Sequence, residues 1–185
     1  HDYHAASLIR FFLGTGNEMP EASSFTLPDT VTRYNSRGGL LNEPQVVTSE
    51  EKFVILKFKD KTALYDFNYE QYFSDIRRSR ILIRGTNGEI LNDECTYLKN
   101  GLPHSFTLKR NSYGANESLD GFTLVNITAE GNVLYENPFM SARLSDEEIA
   151  IATCLLNMKR YIDTGTPFYT LKEAAIDSKI FLQHS

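Results

Sequence analysis

The sequence predicts an α+β domain: an open, mostly antiparallel β-sheet with helices on one face. Three observations carry this. Apolar residues recur at helical spacing at the start of the chain and again over its final segment. From residue 46 onward the period is two, with turn residues between the alternating runs. Helices and strands are segregated along the chain, which favours helices gathered on one side of an antiparallel sheet over repeated βαβ units.

The elements follow in order. Residues 4–14, HAASLIRFFLG, place Ala5, Leu8, Ile9, Phe12 and Leu13 at helical spacing. Leu8, Ile9 and Phe12 hold the core side in this reading, while His4, Ser7 and Arg10 drift along one flank. Gly14 and Gly16 close the helix. Residues 15–45 are rich in Gly, Pro, Ser, Asn and Thr and read as a long connection. Within it, Phe25, Leu27, Val31 and Tyr34 suggest one short strand. Strands are expected at 46–49, 53–59 and 62–68, the last two joined by Lys59-Asp60-Lys61. The run FVILKFK at 53–59 is apolar almost throughout, predicting a central strand covered on both faces. Residues 69–76 are a loop or short helix.

The stretch RILIRGTNGEIL, 80–91, predicts a hairpin of strands 80–85 and 89–92. Asn87-Gly88 would take the two positive-φ positions of a type I′ turn. Further strands are expected at 96–98, 105–110, 121–128 and 132–137, the last pair turning at Glu130-Gly131-Asn132. Two capping boxes open the closing helices, Ser145 with Glu148 and Thr170 with Glu173. The first helix runs to about Asp163 and stops at Gly165, and the second runs to Leu182.

The length of 185 residues fits one domain, and 41% hydrophobic residues are enough for a sizeable core. A net charge of −5 with no long basic cluster argues against nucleic acid or an anionic membrane as partner. The densest basic patch, Arg77-Arg78-Ser79-Arg80, reads as a solvated strand lip. No apolar run reaches the roughly 18 residues of a membrane span. Two cysteines make no disulfide framework, so a reducing, cytoplasmic compartment is expected. Cys154, within IAIATCLL, reads as a small buried hydrophobe. The chain opens on His1-Asp2-Tyr3-His4 without Met and is helical in pattern at once, which suggests a piece of a longer protein.

Familiar chemistry is mostly missing. Gly14-Thr15-Gly16 begins like a dinucleotide fingerprint, but it follows a helix and Met19 stands at the third glycine position. No metal site is expected: His1 and His4 are three apart, with no third ligand at motif spacing. No nucleophile elbow occurs. His4 remains, on a helix flank, either a surface residue or a general acid/base that titrates near neutral pH. Tyr72 and Arg77, near a sheet edge, would hold hydroxyls or an anion, or be simply solvated.

Three segments in this order resemble the C-terminal domain of the glucose-fructose oxidoreductase / inositol dehydrogenase (Gfo/Idh/MocA) family. They are the helix HDYHAASLIRFFLG, the hairpin RILIRGTNGEI and the ending NPFMSARLSDEEIAIATCLLNMKRYIDTGTPFYTLKEAAIDS. The resemblance spans nearly the whole chain. It implies a substrate-binding and dimerising domain covering residues 1–185, paired in the full protein with an N-terminal Rossmann domain that binds NAD or NADP and lies outside this chain. It implies hydride transfer at a sugar or cyclitol hydroxyl, with His4 catalytic, Ser7, Arg10, Tyr72 and Arg77 contacting substrate, and no cofactor held by this segment alone. A homodimer or higher homo-oligomer is expected through the open sheet face. The sequence departs from the family at the Glu-Lys-Pro lysine motif, which is absent. It departs also at Ser7 and Arg10, which stand where many members carry Asp and the active-site His. A non-catalytic sugar-binding or regulatory relative is the alternative.

Overall fold

The computed structural model describes residues 2–113 and 123–182. The class is α+β: three α-helices and antiparallel strands throughout. The strands form three sheets instead of the single sheet expected. The sequence treats residues 1–185 as one domain, whereas contacts gather into two compact units, His1–Ser79 with Tyr169–Ser185, and Arg80–Phe168.

In the first unit, α1 (Asp2–Leu13) precedes β1 (Glu21–Ser36), β2 (Gly39–Lys57) and β3 (Thr62–Asn68), and α3 (Leu171–Leu182) returns to it. α1 ends where Gly14 takes φ +61°: Thr15 N–H bonds Arg10 O and Gly14 N–H bonds Phe11 O, the paired bonds of a left-handed helix cap. β1 overturns the expected loop-like connection, since it is 16 residues long and runs from inside the supposed loop into a 19-residue partner. Its polar sequence hides it. Pro28 is tolerated because β1 is an edge strand, in the order β1-β2-β3.

The core lies on one face of this sheet. Val54, Leu56 and Phe58 of β2 and its end pack with Ala6 of α1 and Ile176 and Ile180 of α3. The other face carries Phe25 stacked on Phe53 (centroids 5.0 Å) and exposed Leu27, Ile55 and Leu64. β2 is therefore central, but covered on one face only; Ile55 is 40% exposed. α1 is also rotated from the expected setting. Leu8 and Phe12 are exposed, and the inward face is Ala6, Ile9 and Leu13 together with Arg10, which is 7% exposed. An arginine is accepted there because α3 supplies its counter-charge, as shown below.

The second unit holds a meander, β4 (Leu82–Gly85), β5 (Gly88–Leu91), β6 (Glu94–Lys99) and β7 (Leu102–Thr107). A second sheet pairs β8 (Lys109–Tyr113), β9 (Thr123–Ala129) and β10 (Asn132–Glu136), and α2 (Asp146–Thr164) follows. Of the expected strand at 121–128, residues 121–122 lie outside the described residues. The β4–β5 turn differs from expectation. Gly85 pairs with Gly88, so the loop is Thr86-Asn87, and neither these residues nor Gly88 has positive φ. Gly88 is required by packing: a Cβ there would lie 2.8 Å from Thr96 O on β6. Positive φ at both turn positions occurs instead at Asn100-Gly101 and Glu130-Gly131.

Ser145 and Glu148 form the expected capping box of α2, and Thr170 and Glu173 make the same reciprocal bonds at α3. Cys154 is exposed, contrary to expectation, and Cys95 on β6 is the buried one. The apolar run of α2 turns only Ile149 fully inward. Among the described residues no helix is long and apolar enough to cross a membrane.

Candidate functional site

The first unit builds a groove from strand register. Opposite residues on β1, β2 and β3 form cross-strand rows, and alternate rows share a face. The core face carries Ala22–Leu56–Ala63, then Ser24–Val54–Tyr65. Continuing along the strands, the next row on this face is Thr26–Lys52–Phe67. Beyond it, Pro28 pairs with Glu50, and Tyr69 follows β3. Here the apolar floor gives way to a hydroxyl, an ammonium, a carboxylate and a phenol beside an aromatic ring. These residues line an open groove of about 340 Å³. Ser49 also lines it, though its hydroxyl donates to Asn68 Oδ1 at 2.8 Å. The Phe67 ring is fixed by stacking on Tyr65 (5.6 Å) and by the edge of Tyr72 (5.8 Å). Arg37 donates to the Tyr69 hydroxyl at 2.9 Å.

α1 is oriented along this sheet. Lys61 Nζ donates to Leu13 O at 2.6 Å, and Lys59 N–H to Glu18 Oε1 at 2.5 Å, which hold the helix C-terminus at the β2–β3 turn. Ala6 packs with Val54 and Leu56. His4 stands in the first turn of α1, at the end of the helix opposite this anchor. His4 is exposed, its ring 4.1 Å from that of Tyr3.

The remaining expected site residues divide. Ser7 is half-buried, its hydroxyl near enough to the Tyr169 phenol to offset a little of the upward shift of that phenol. Tyr169 in turn donates to Asp177 Oδ2 at 2.6 Å, and burial, then Asp177, pushes the phenol up to about 12. Although 45% of Tyr169 is exposed, its hydroxyl end is the enclosed part, held by an aspartate that is 2% exposed. Arg10 is ion-paired to Asp177 Oδ1 and donates to Gly16 O and to Glu173 O. All of these groups join α1 and its cap to α3.

Arg77 lies on the other face of the sheet. It donates to Asp29 Oδ2 at 2.7 Å and Glu51 Oε2 at 3.1 Å. Fully buried Asn68 donates to the same two carboxylates. Thr30 N–H, and then Arg77, hold the Asp29 carboxyl below its usual range, while burial and a hydrogen bond with Asp66 push Glu51 up. Tyr72, 54% exposed, borders the groove through Phe67.

All six groove residues escaped sequence reasoning: Thr26, Ser49, Glu50, Lys52, Phe67 and Tyr69. Only Lys52 left a signal, since the period of two from Leu56 and Val54 puts it on the core face. Tyr169 and Asp177 left none. Among the described residues no group of three or more His, Cys, Asp or Glu is placed to hold a metal. No family model, curated protein or solved structure matches this chain.

Proposed function

We propose that the chain is the substrate-binding and oligomerisation domain of an NAD(P)-dependent oxidoreductase acting on a sugar or cyclitol hydroxyl. The observation that carries this is the groove: donors and acceptors for hydroxyls beside the Phe67 ring, on the same face of the sheet as the core. Small polar ligands are held by such a mixture of apolar floor and a few convergent polar groups. The resemblance of the α1, β4–β5 and α2–α3 segments to the Gfo/Idh/MocA family supplies the reaction class.

The described residues do not fit a dinucleotide. Gly14 and Gly16 end a helix where a pyrophosphate cradle must begin one, and Gly16 O is taken by Arg10. In this proposal the cofactor sits on a domain outside these residues, and supplies the hydride chemistry when bound. The groove orients the polyol, and an imidazole nitrogen of His4 takes or returns the hydroxyl proton.

The test is dehydrogenase assay of the parent protein over sugars and cyclitols with NAD and NADP. His4→Ala should lower kcat by about 10²-fold if His4 moves the proton. A raised KM at unchanged kcat would make it an orienting donor. No turnover with any polyol would end the proposal. A second reading, a sugar-binding relative without catalysis, is favoured by Arg10, which stands where the family's histidine would lie and is buried against Asp177. Polyol binding without turnover is its expected result.

A further inference from the structure

We infer that Asn100 is a site of spontaneous covalent modification, its side-chain amide converting to aspartate and isoaspartate through attack by the backbone nitrogen of Gly101. The chain contains two Asn-Gly pairs, Asn87-Gly88 and Asn100-Gly101. Glycine favours this attack because it puts no side chain beside the attacking nitrogen. Both pairs lie at hairpin turns of the β4–β7 meander, so their local sequence ranks them equally.

The fold separates them. Gly88 already stands inside the sheet, opposite Gly85 on β4 and Tyr97 on β6. Asn87 O accepts from Leu98 N–H at 2.8 Å. A Cβ on Gly88 would lie 2.8 Å from Thr96 O and 3.0 Å from the Cβ of Tyr97, so the backbone is packed closely there. Turning the Asn87–Gly88 peptide toward its side chain therefore breaks pairing of the interior strand β5. Asn100 and Gly101 are both exposed and make up the whole loop between the paired Lys99 and Leu102. They take φ of +53° and +79°, a left-handed conformation that Asn and Gly reach at low cost. Nothing lies within 4 Å of the place a Cβ of Gly101 would occupy. Freeing this peptide disturbs only the start of the edge strand β7, and such local openings cost little.

In the reaction Gly101 N loses its proton and bonds to Asn100 Cγ. The Cγ–Nδ2 bond breaks and ammonia leaves, giving a succinimide ring. Water then opens the ring at either carbonyl, leaving aspartate or isoaspartate with an added negative charge. Water is the sole co-reactant. Isoaspartate also carries an extra backbone carbon into the tight β6–β7 loop.

The test is incubation of the 185-residue chain at mildly alkaline pH, folded and in urea, followed by peptide mass spectrometry with fragment sequencing. Tryptic cuts after Arg84, Lys99 and Lys109 put the two asparagines in separate peptides. In urea both should convert at similar rates. In the folded chain Asn100 should convert about tenfold faster than Asn87, a factor that one hydrogen bond holding a peptide shut supplies. Asn100→Gly, which keeps the left-handed turn, should abolish the acidic shift of the folded chain on isoelectric focusing. The inference is overturned if Asn87 keeps pace with Asn100 in the folded chain, or if Asn100 stays intact there. An Asn100→Gly variant that shifts as the wild type does would overturn it as well.

Discussion

Two arginines, Arg10 and Arg77, sit on opposite sides of the β1–β3 sheet, and both read from sequence as substrate contacts. Each is engaged within the chain, but in different surroundings. Arg10 and its partner Asp177 are 7% and 2% exposed, between two helices. Arg77 is 33% exposed, with partners at 28% and 17%, on the face away from those helices. The same chemistry thus works in two regimes. On the helix side each charge has given up its water and depends on its partner. On the other side water still screens the cluster, and the buried amide of Asn68 shares the carboxylates.

The largest effect should come from breaking the buried pair. Asp177→Ala leaves a guanidinium buried without its counter-charge and should destabilise the first unit by about 3–5 kcal/mol. Urea unfolding followed by circular dichroism measures this. The double variant Arg10→Met with Asp177→Leu should recover most of the loss, because an apolar pair pays no desolvation. A double variant as unstable as the single one would mean that the bonds from Arg10 to Gly16 O and Glu173 O matter more than the pair.

Arg77→Ala should cost about 1 kcal/mol, less at high salt, as for partly exposed ion pairs. Its acid dependence has a sign set by two groups that oppose each other. The Asp29 carboxyl is lowered, so its contribution is present above the ordinary carboxylate range and lost as pH falls through its folded value. Glu51 is raised, so its contribution is present at low pH and lost as pH rises through its folded value. Thr30 N–H is the leading cause at Asp29, ahead of Arg77. The variant should therefore keep most of the acid sensitivity attributed to Asp29. Loss of that sensitivity in stability curves between about pH 2 and 5 would promote Arg77 to the dominant partner.

The contrast also explains what could be read in advance. Capping boxes are local: Ser145 and Glu148 are three residues apart, and both helix starts are visible without any fold. The strands around 53–59 and 62–68 show because their period alternates against a core. β1 does not, because its neighbours on one face are exposed and its partner strand supplies the order. Arg10 was misplaced because its partner lies 167 positions away. The groove was invisible for the same reason: its lining is one to three residues from each of three strands, with Tyr69 just beyond β3, brought together by register.

A smaller effect should come from Tyr169, next to the buried pair. Tyr169→Phe removes one hydrogen bond to Asp177, which keeps Arg10, and should cost about 1 kcal/mol at neutral pH. The phenol is pushed from 10.0 up to about 12. A raised value means that its contribution is intact below the ordinary phenol pKa and is lost as pH rises toward the folded one. Wild type should lose stability between pH 10 and 12 more steeply than Tyr169→Phe, by denaturant midpoints. Parallel curves would mean that the hydroxyl is not held as proposed.

The smallest effect on folding, and the sharpest test of the outer face, is expected at Phe25. This face pairs exposed Phe25, Leu27, Ile55 and Leu64 with the stacked Phe53 ring. Exposed apolar residues clustered on a sheet face, here bordered by Asp66 and the Arg77 cluster, mark a candidate interaction surface. It fits the proposed homodimer, in which the face of one chain packs on that of a second. Phe25→Ser removes a ring that is 53% exposed, so the stability of the isolated chain should change by no more than about 0.5 kcal/mol. Association is a different matter, because large aromatics at the centre of an interface carry much of its energy. Sedimentation of the wild-type chain at micromolar concentration should give twice the chain mass, and Phe25→Ser should give the single mass. A wild-type monomer would remove the open face from the oligomerisation role. A variant that stays dimeric would move the contact to another surface and leave the helix side of the sheet untouched.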